Sequence, residues 1–135
     1  SFTTVELFQS LLLTNYSSIQ INIKRNDKKY KIYAIYGAIS YDYNFDQCLT
    51  KLDQISDEIS SIFNNVQKEG PSKTKHSADP TGQSTYTGVY YWFMSDDYVG
   101  VQCYDWSDNL TKTKGWGDSL RVSVNSREFY NWLNQ

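Results

Sequence analysis

The feature that most constrains the fold of this chain is a run of apolar residues at helical spacing. Phe45, Cys48, Leu49, Leu52, Ile55, Ile59, Ile62, Phe63 and Val66 fall on one stripe over about six turns. Asn44 offers a side-chain oxygen to the first free amides, Gln47 follows as a capping-box partner, and Gly70-Pro71 supplies a stop. The opposite face carries Lys51, Asp57 and Glu58, an ordinary solvated surface. A helix with one apolar stripe must bury it against another element, so the rest of the chain has to provide that layer.

The flanking segments read as strands. Ser18 to Lys24 alternates Ile19, Ile21 and Ile23 with Gln20, Asn22 and Lys24, and Asn26-Asp27 turns it. Lys29 to Ile35 then sets Tyr30, Ile32 and Ala34 against Lys31, Tyr33 and Ile35, completing a hairpin. A second hairpin, Thr85 to Met94 and Tyr98 to Trp106, folds around Ser95-Asp96-Asp97. In its second strand Val99, Val101 and Cys103 share one face, and Tyr98, Gln102, Tyr104 and Trp106 share the other. Ser107 to Gly117 reads as a loop before a last strand, in which Leu120, Val122 and Val124 alternate with Arg121 and Ser123.

At the ends, Thr3 or Thr4 caps a short helix through Asn15, with Val5, Phe8, Leu11 and Leu12 as its stripe. Ser126 caps a terminal helix that packs through Phe129, Trp132 and Leu133. Between Glu69 and Ser84 the chain is polar and has no large apolar residue, which predicts a mobile internal loop over 69–84. The expected fold is a single α+β domain over 1–135: a mostly antiparallel sheet of about five strands, the long central helix and two short terminal helices, with the helices on one face.

Length and charge narrow the function. A chain of 135 residues closes one hydrophobic core without crosslinks. Cys48 and Cys103, on the buried faces of a helix and a strand, are therefore expected as reduced core thiols. A net charge of -2 lacks the broad basic footprint that nucleic acid requires. The Lys24 to Lys31 charges straddle a turn and read as solvated. Leu11 to Leu13, the longest early apolar run, is too short to span a bilayer, so no membrane partner is expected. No charged segment and apolar run precede it as a leader would, and the expectation is a soluble, cytoplasmic protein.

Catalytic and metal signatures are weak, and no cofactor is expected. His76, the one histidine, lies in the polar segment and reads as an exposed loop residue. One histidine and two isolated cysteines make no zinc pattern. Asp96, Asp97, Asp105, Asp108 and Asp118 carry the one enzymatic alternative, a small metal-dependent hydrolase or nuclease using Asp105, Asp108 and Asp118. Their spacing fits no calcium loop, and aspartates also form turns. Gly115-Trp116-Gly117 lacks the continuing spacing of a nucleotide loop and reads as a turn whose tryptophan closes one end of the core. Asn15-Tyr16-Ser17 and Asn109-Leu110-Thr111 match the glycosylation acceptor pattern, and no role is assigned to them.

The aromatic residues point elsewhere. Aromatics make up 16% of the chain, more than one small core can take in, so several must stay on an outer face. That face is expected either to show Tyr33, Tyr98, Tyr104 and Trp106 with Gln102 and Arg121, or to be covered by the N-terminal helix or the long loop as a second small core. With the acidic turns beside it, the expected partner-binding set is Tyr98, Gln102, Tyr104, Asp105, Trp106, Asp108 and Arg121. The reading is a non-enzymatic protein-binding module; a carbohydrate- or peptide-binding module using Trp106 and Tyr104 is a further alternative.

The closing segment carries a resemblance. The Ser95-Asp96-Asp97 hairpin, Tyr104-Asp105-Trp106-Ser107-Asp108, Gly115-Trp116-Gly117-Asp118, the Leu120 to Val124 strand and the Ser126 to Asn134 helix together cover about the last fifty residues. This arrangement resembles the small bacterial immunity proteins that neutralise contact-delivered or bacteriocin-like toxins. The resemblance implies tight binding to a toxin domain, at its active site or an exosite, without catalysis. Against a nuclease toxin, the acidic cluster would face a basic cleft. The group shares no fixed site, so no residue role is carried over.

Overall fold

Seven strands and three helices follow one another as β1 (Phe2–Phe8), β2 (Ser18–Lys24), β3 (Ile32–Ser40), α1 (Phe45–Ile62), β4 (Gln67–Lys75), β5 (Thr85–Trp92), β6 (Tyr98–Asp105), α2 (Asp108–Lys114), β7 (Ser119–Asn125) and α3 (Arg127–Leu133). The structure is a computed structural model that describes residues 1–8, 15–42 and 44–135. The strands form one sheet in the order β1-β2-β3-β7-β6-β5-β4. Every neighbouring pair is antiparallel.

The helical stripe finds its layer on β5, β6 and β7. Registers Val89↔Val101, Val101↔Val122 and Cys103↔Leu120 put these side chains on one face. There Cys48, Leu52 and Ile59 of α1 close the core. Burying an aliphatic side chain of this size contributes about 1.5–3 kcal/mol. The Tyr91 hydroxyl, which β5 sends into this layer beneath α1, donates to the Ser56 carbonyl at 2.7 Å. Asn44 caps α1 as expected, its side chain accepting from the Gln47 amide. The helix ends at Ile62; Phe63 is already extended, and Phe63 and Val66 reach the core from beyond it.

The sheet has seven strands where about five were expected; in place of a long central helix and two terminal ones there are three short helices, α1 stopping at Ile62, and they do not share a face. Residues 2–8, expected as the start of a helix, form β1 on β2. Its Thr3, Thr4 and Val5 are β-branched, and a heptapeptide is too short for helical and alternating apolar patterns to be told apart. Leu11 and Leu12 lie outside the described residues. The segment Gln67–Lys75, of which 69–75 was expected as loop, forms the other edge strand. It is exposed throughout and held by backbone pairing, with a register shift between Glu69 and Ser72 where Gly70 takes φ 91°. A Cβ at Gly70 would collide with the Gly88 carbonyl oxygen, so a residue without one belongs there. Three lysines and a proline on β4 suit an edge that should not recruit another strand.

Cys48 and Cys103 are joined in a disulfide that ties α1 to β6, in place of the expected free thiols. The segment 107–117 is a short helix, α2, capped by Ser107 and ended by left-handed Gly115, rather than a plain loop. Ser126 caps α3 as expected. Phe129 of α3 packs with Phe2, Tyr33, Ala34 and Tyr36 on the face opposite α1. Because α1 packs on β6 and β7, the same face of β1 to β3 keeps Val5, Leu7 and Ile35 exposed. Among the described residues no helix is long and apolar enough to cross a membrane.

Candidate ligand-binding cleft

Opposite α1, the strands β5, β6 and β7 present the other half of their alternation: Tyr86, Gly88, Tyr90 and Trp92; Tyr98, Gly100, Gln102 and Tyr104; Ser119, Arg121 and Ser123. The glycines have a use here. A Cβ on Gly88 would stand 2.8 Å from the Tyr90 hydroxyl, and one on Gly100 would stand 3.3 Å from its ring, so the ring lies flat across both. Gln102 then donates to the Tyr90 hydroxyl at 2.6 Å and accepts from the Tyr104 hydroxyl at 3.0 Å. Burial pushes the Tyr90 phenol up to about 12 and the Tyr104 phenol above its usual range, so both stay neutral.

The aromatic band runs the length of this face. At one end Tyr98 packs against Trp92 at 4.7 Å and Tyr130 of α3 at 5.7 Å. At the other end Tyr104 and Trp106 lie nearly parallel, 12° apart, with centroids 5.9 Å apart. Trp106 also meets Trp116 at 4.7 Å and His76 at 4.5 Å. Beside this cluster opens a cleft of about 620 Å³, lined by Trp106, Trp116, His76, Tyr104, Arg121 and, across it, Glu6 and Ser18. Its width has a sequence cause. Arg121 pairs with Ala38 and Ala38 with Ser18, so two small side chains adjoin the arginine along one row of the sheet.

Arg121 lies over two rings, 5.0 Å from the Tyr104 centroid and 5.7 Å from that of Tyr36. The Tyr36 hydroxyl is turned away and donates to Asn125 at 2.6 Å. The Glu6 carboxylate accepts from Gln20 at 3.1 Å. Among the described residues Arg121 has no carboxylate partner, since the two ion pairs join Lys24 to Glu128 and Arg127 to Asp96.

His76 is not the loose loop residue expected. Its amide donates to the Ser84 carbonyl at 2.9 Å, and its Nδ1 accepts from the Ala78 amide at 3.1 Å. An accepting Nδ1 leaves the proton of the neutral ring on Nε2. Burial, and then the nearby Arg121 charge, lower its pKa, with Asp79 opposing, so the neutral form is favoured. Asp79 anchors the connection 76–84. It is 6% exposed, and its carboxylate accepts from the amides and hydroxyls of both Thr81 and Ser84 at 2.6–3.0 Å. These bonds hold its pKa well below the usual carboxylate range. Asp79-Pro80-Thr81-Gly82 was a readable turn signature for this anchor.

Of the expected partner-binding residues, Tyr98, Gln102, Tyr104 and Arg121 share the face opposite α1, and Trp106 follows in the same alternation. Tyr33 is on that side too, but buried beneath α3. Asp105 belongs to the alternate set with Cys103, and Asp108 opens α2 on the surface, so neither joins the cleft. Asp118 accepts from the Trp106 amide at 2.8 Å and thereby fixes the strand end that carries the indole. Burial raises its pKa, with Asp105, Asp42 and Asp108 adding to the rise. Asp96 and Asp97 serve α3, through the Arg127 side chain at 3.4 Å and its amide at 2.8 Å. Among the described residues no three His, Cys, Asp or Glu side chains are grouped to hold a metal ion. Trp116, expected to close the core, stands instead on the cleft wall and is 37% exposed. The site joins flat aromatic walls to one arginine that, among the described residues, has no carboxylate partner. No protein-family model, curated protein or solved structure matches this chain.

Proposed function

We propose that this protein is a recognition module that binds a protein partner on its aromatic face without catalysis, as an immunity protein binds the toxin it neutralises. One observation carries the reading. Trp106, Trp116 and Arg121, with Trp and Arg among the residue types that dominate binding hot spots, line an open cleft on a sheet face where Tyr90, Gln102 and Tyr104 are bonded to one another and Tyr36 to Asn125. The disulfide adds a setting. Such crosslinks persist where thiols are oxidised, which favours an oxidising compartment over the cytoplasm expected from the sequence.

The test is co-expression with the product of the adjacent gene, followed by calorimetric titration of the two purified proteins. Trp106→Ala is expected to weaken binding by about 2 kcal/mol or more. Absence of binding and of protection, or an affinity indifferent to Trp106→Ala, removes the proposal.

A further inference from the structure

We propose that the cleft beside Arg121 receives a carboxylate side chain of the protein partner, with the residue next to it seated against Trp106 and Trp116. The inference rests on the protein-binding reading and names the chemistry that the partner must present.

The argument is one of unmet hydrogen bonds. A guanidinium offers five N–H donors in a fixed plane. Among the described residues no carboxylate pairs with the Arg121 guanidinium, and the side-chain amide oxygens beside it are engaged elsewhere: that of Gln102 accepts from the Tyr104 hydroxyl and that of Asn125 from the Tyr36 hydroxyl, while Glu6 across the cleft accepts from Gln20. The two tyrosine rings hold the guanidinium in place, so little side-chain freedom is lost when a ligand arrives. A planar carboxylate matches that fork with two parallel bonds.

The walls narrow the choice further. Trp106 and Trp116 meet at 4.7 Å with planes 53° apart, a corner that accepts an aliphatic or aromatic side chain. Glu6 on the far side, with the net charge of -2, works against a polyanion and so against nucleic acid, which needs many cationic contacts. The neutral His76 on the same wall adds no second positive charge.

The test uses the intact oxidised chain and four probes: N-acetyl-Phe-Glu-amide, N-acetyl-Phe-Gln-amide, glucuronate and inorganic phosphate. The Trp106 and Trp116 indole N–H signals, assigned with Trp→Phe variants, are followed by NMR. The acidic dipeptide is expected to shift both signals saturably and to bind about tenfold more tightly than its amide counterpart. Arg121→Gln should abolish that difference, and Arg121→Lys, which keeps the charge and loses the fork, should retain part of it. Bound carboxylate should also raise the pKa of the His76 ring by offsetting the Arg121 charge. Equal binding of both dipeptides, a response to glucuronate or phosphate alone, or no response to any probe overturns the proposal. If Trp106→Ala still abolishes partner binding after such a result, only the carboxylate inference falls. If Trp106→Ala leaves partner binding intact, the recognition reading falls as well.

Discussion

The two sides of β5, β6 and β7 are built from alternate residues of the same strands, yet they are held by different physics. Beneath α1, Val89, Val101, Cys103 and Leu120 are fully buried, and the driving force is apolar area removed from water, which is large and non-directional. On the other side Tyr90, Tyr98, Gln102 and Arg121 remain half-buried. They are held by rings laid across glycines, by the Gln102 bridge and by a cation over two tyrosines. The first side therefore determines whether the chain folds. The second leaves Trp116 and part of Trp106 open to solvent and, among the described residues, Arg121 without a carboxylate partner.

The largest effect expected from this contrast is at Leu52. Leu52→Ala should cost about 2–5 kcal/mol in urea unfolding, because α1 cannot collapse into the vacated space. Trp106→Ala, on the open side, should stay within about 1 kcal/mol. Comparable losses at both sites would erase the distinction. Next comes the crosslink between the helix and the sheet. Replacing both Cys48 and Cys103 by Ala should remove up to about 4 kcal/mol, as expected from loop closure across 55 residues. A double variant as stable as the parent would show that the thiols contribute only as packing.

Tyr104 sharpens the contrast, since it is 9% exposed and belongs to both the packing and the cleft wall. Tyr104→Ala should lower the melting temperature as well as weaken binding, whereas Trp106→Ala should weaken binding and leave melting nearly unchanged. Melting curves of the two variants beside their affinities separate the roles.

Smaller pH effects belong to the turn that anchors His76. The folded-state pKa of Asp79 is depressed, so the unfolded chain takes up the proton more readily. Its contribution is complete above the ordinary carboxylate value of 3.8 and is lost as pH falls below it toward the depressed folded value. Asp79→Asn should flatten the acid limb of melting temperature against pH. His76 is also depressed, from 6.5, so its neutral packing weakens as pH falls below that value. His76→Gln should remove this slight slope, and an unchanged slope would place its origin elsewhere.

What could be read from the sequence was whatever repeats with a period and is enforced by burial. The α1 stripe as far as Ile62, the alternation of β2, β5, β6 and β7, and the Ser126 cap all have local physical causes, and the structure contains each of them; β3, expected over Lys29 to Ile35, runs instead from Ile32 to Ser40, and a register shift against β2 buries the adjacent Tyr33 and Ala34 together. The sequence also separated Val101 and Cys103 from Gln102 and Tyr104, because a strand must send neighbours to opposite faces. Tertiary structure decided the rest. Edge strand β4 buries no side chain and exists through backbone bonds to β5, so no pattern announces it. Strand β1 is a strand only because β2 offers it an edge. Cys48 meets Cys103 only once α1 lies on β6. His76, Trp116 and Glu6 become neighbours of Arg121 through contacts between segments far apart in the chain, and no local spacing encodes that meeting.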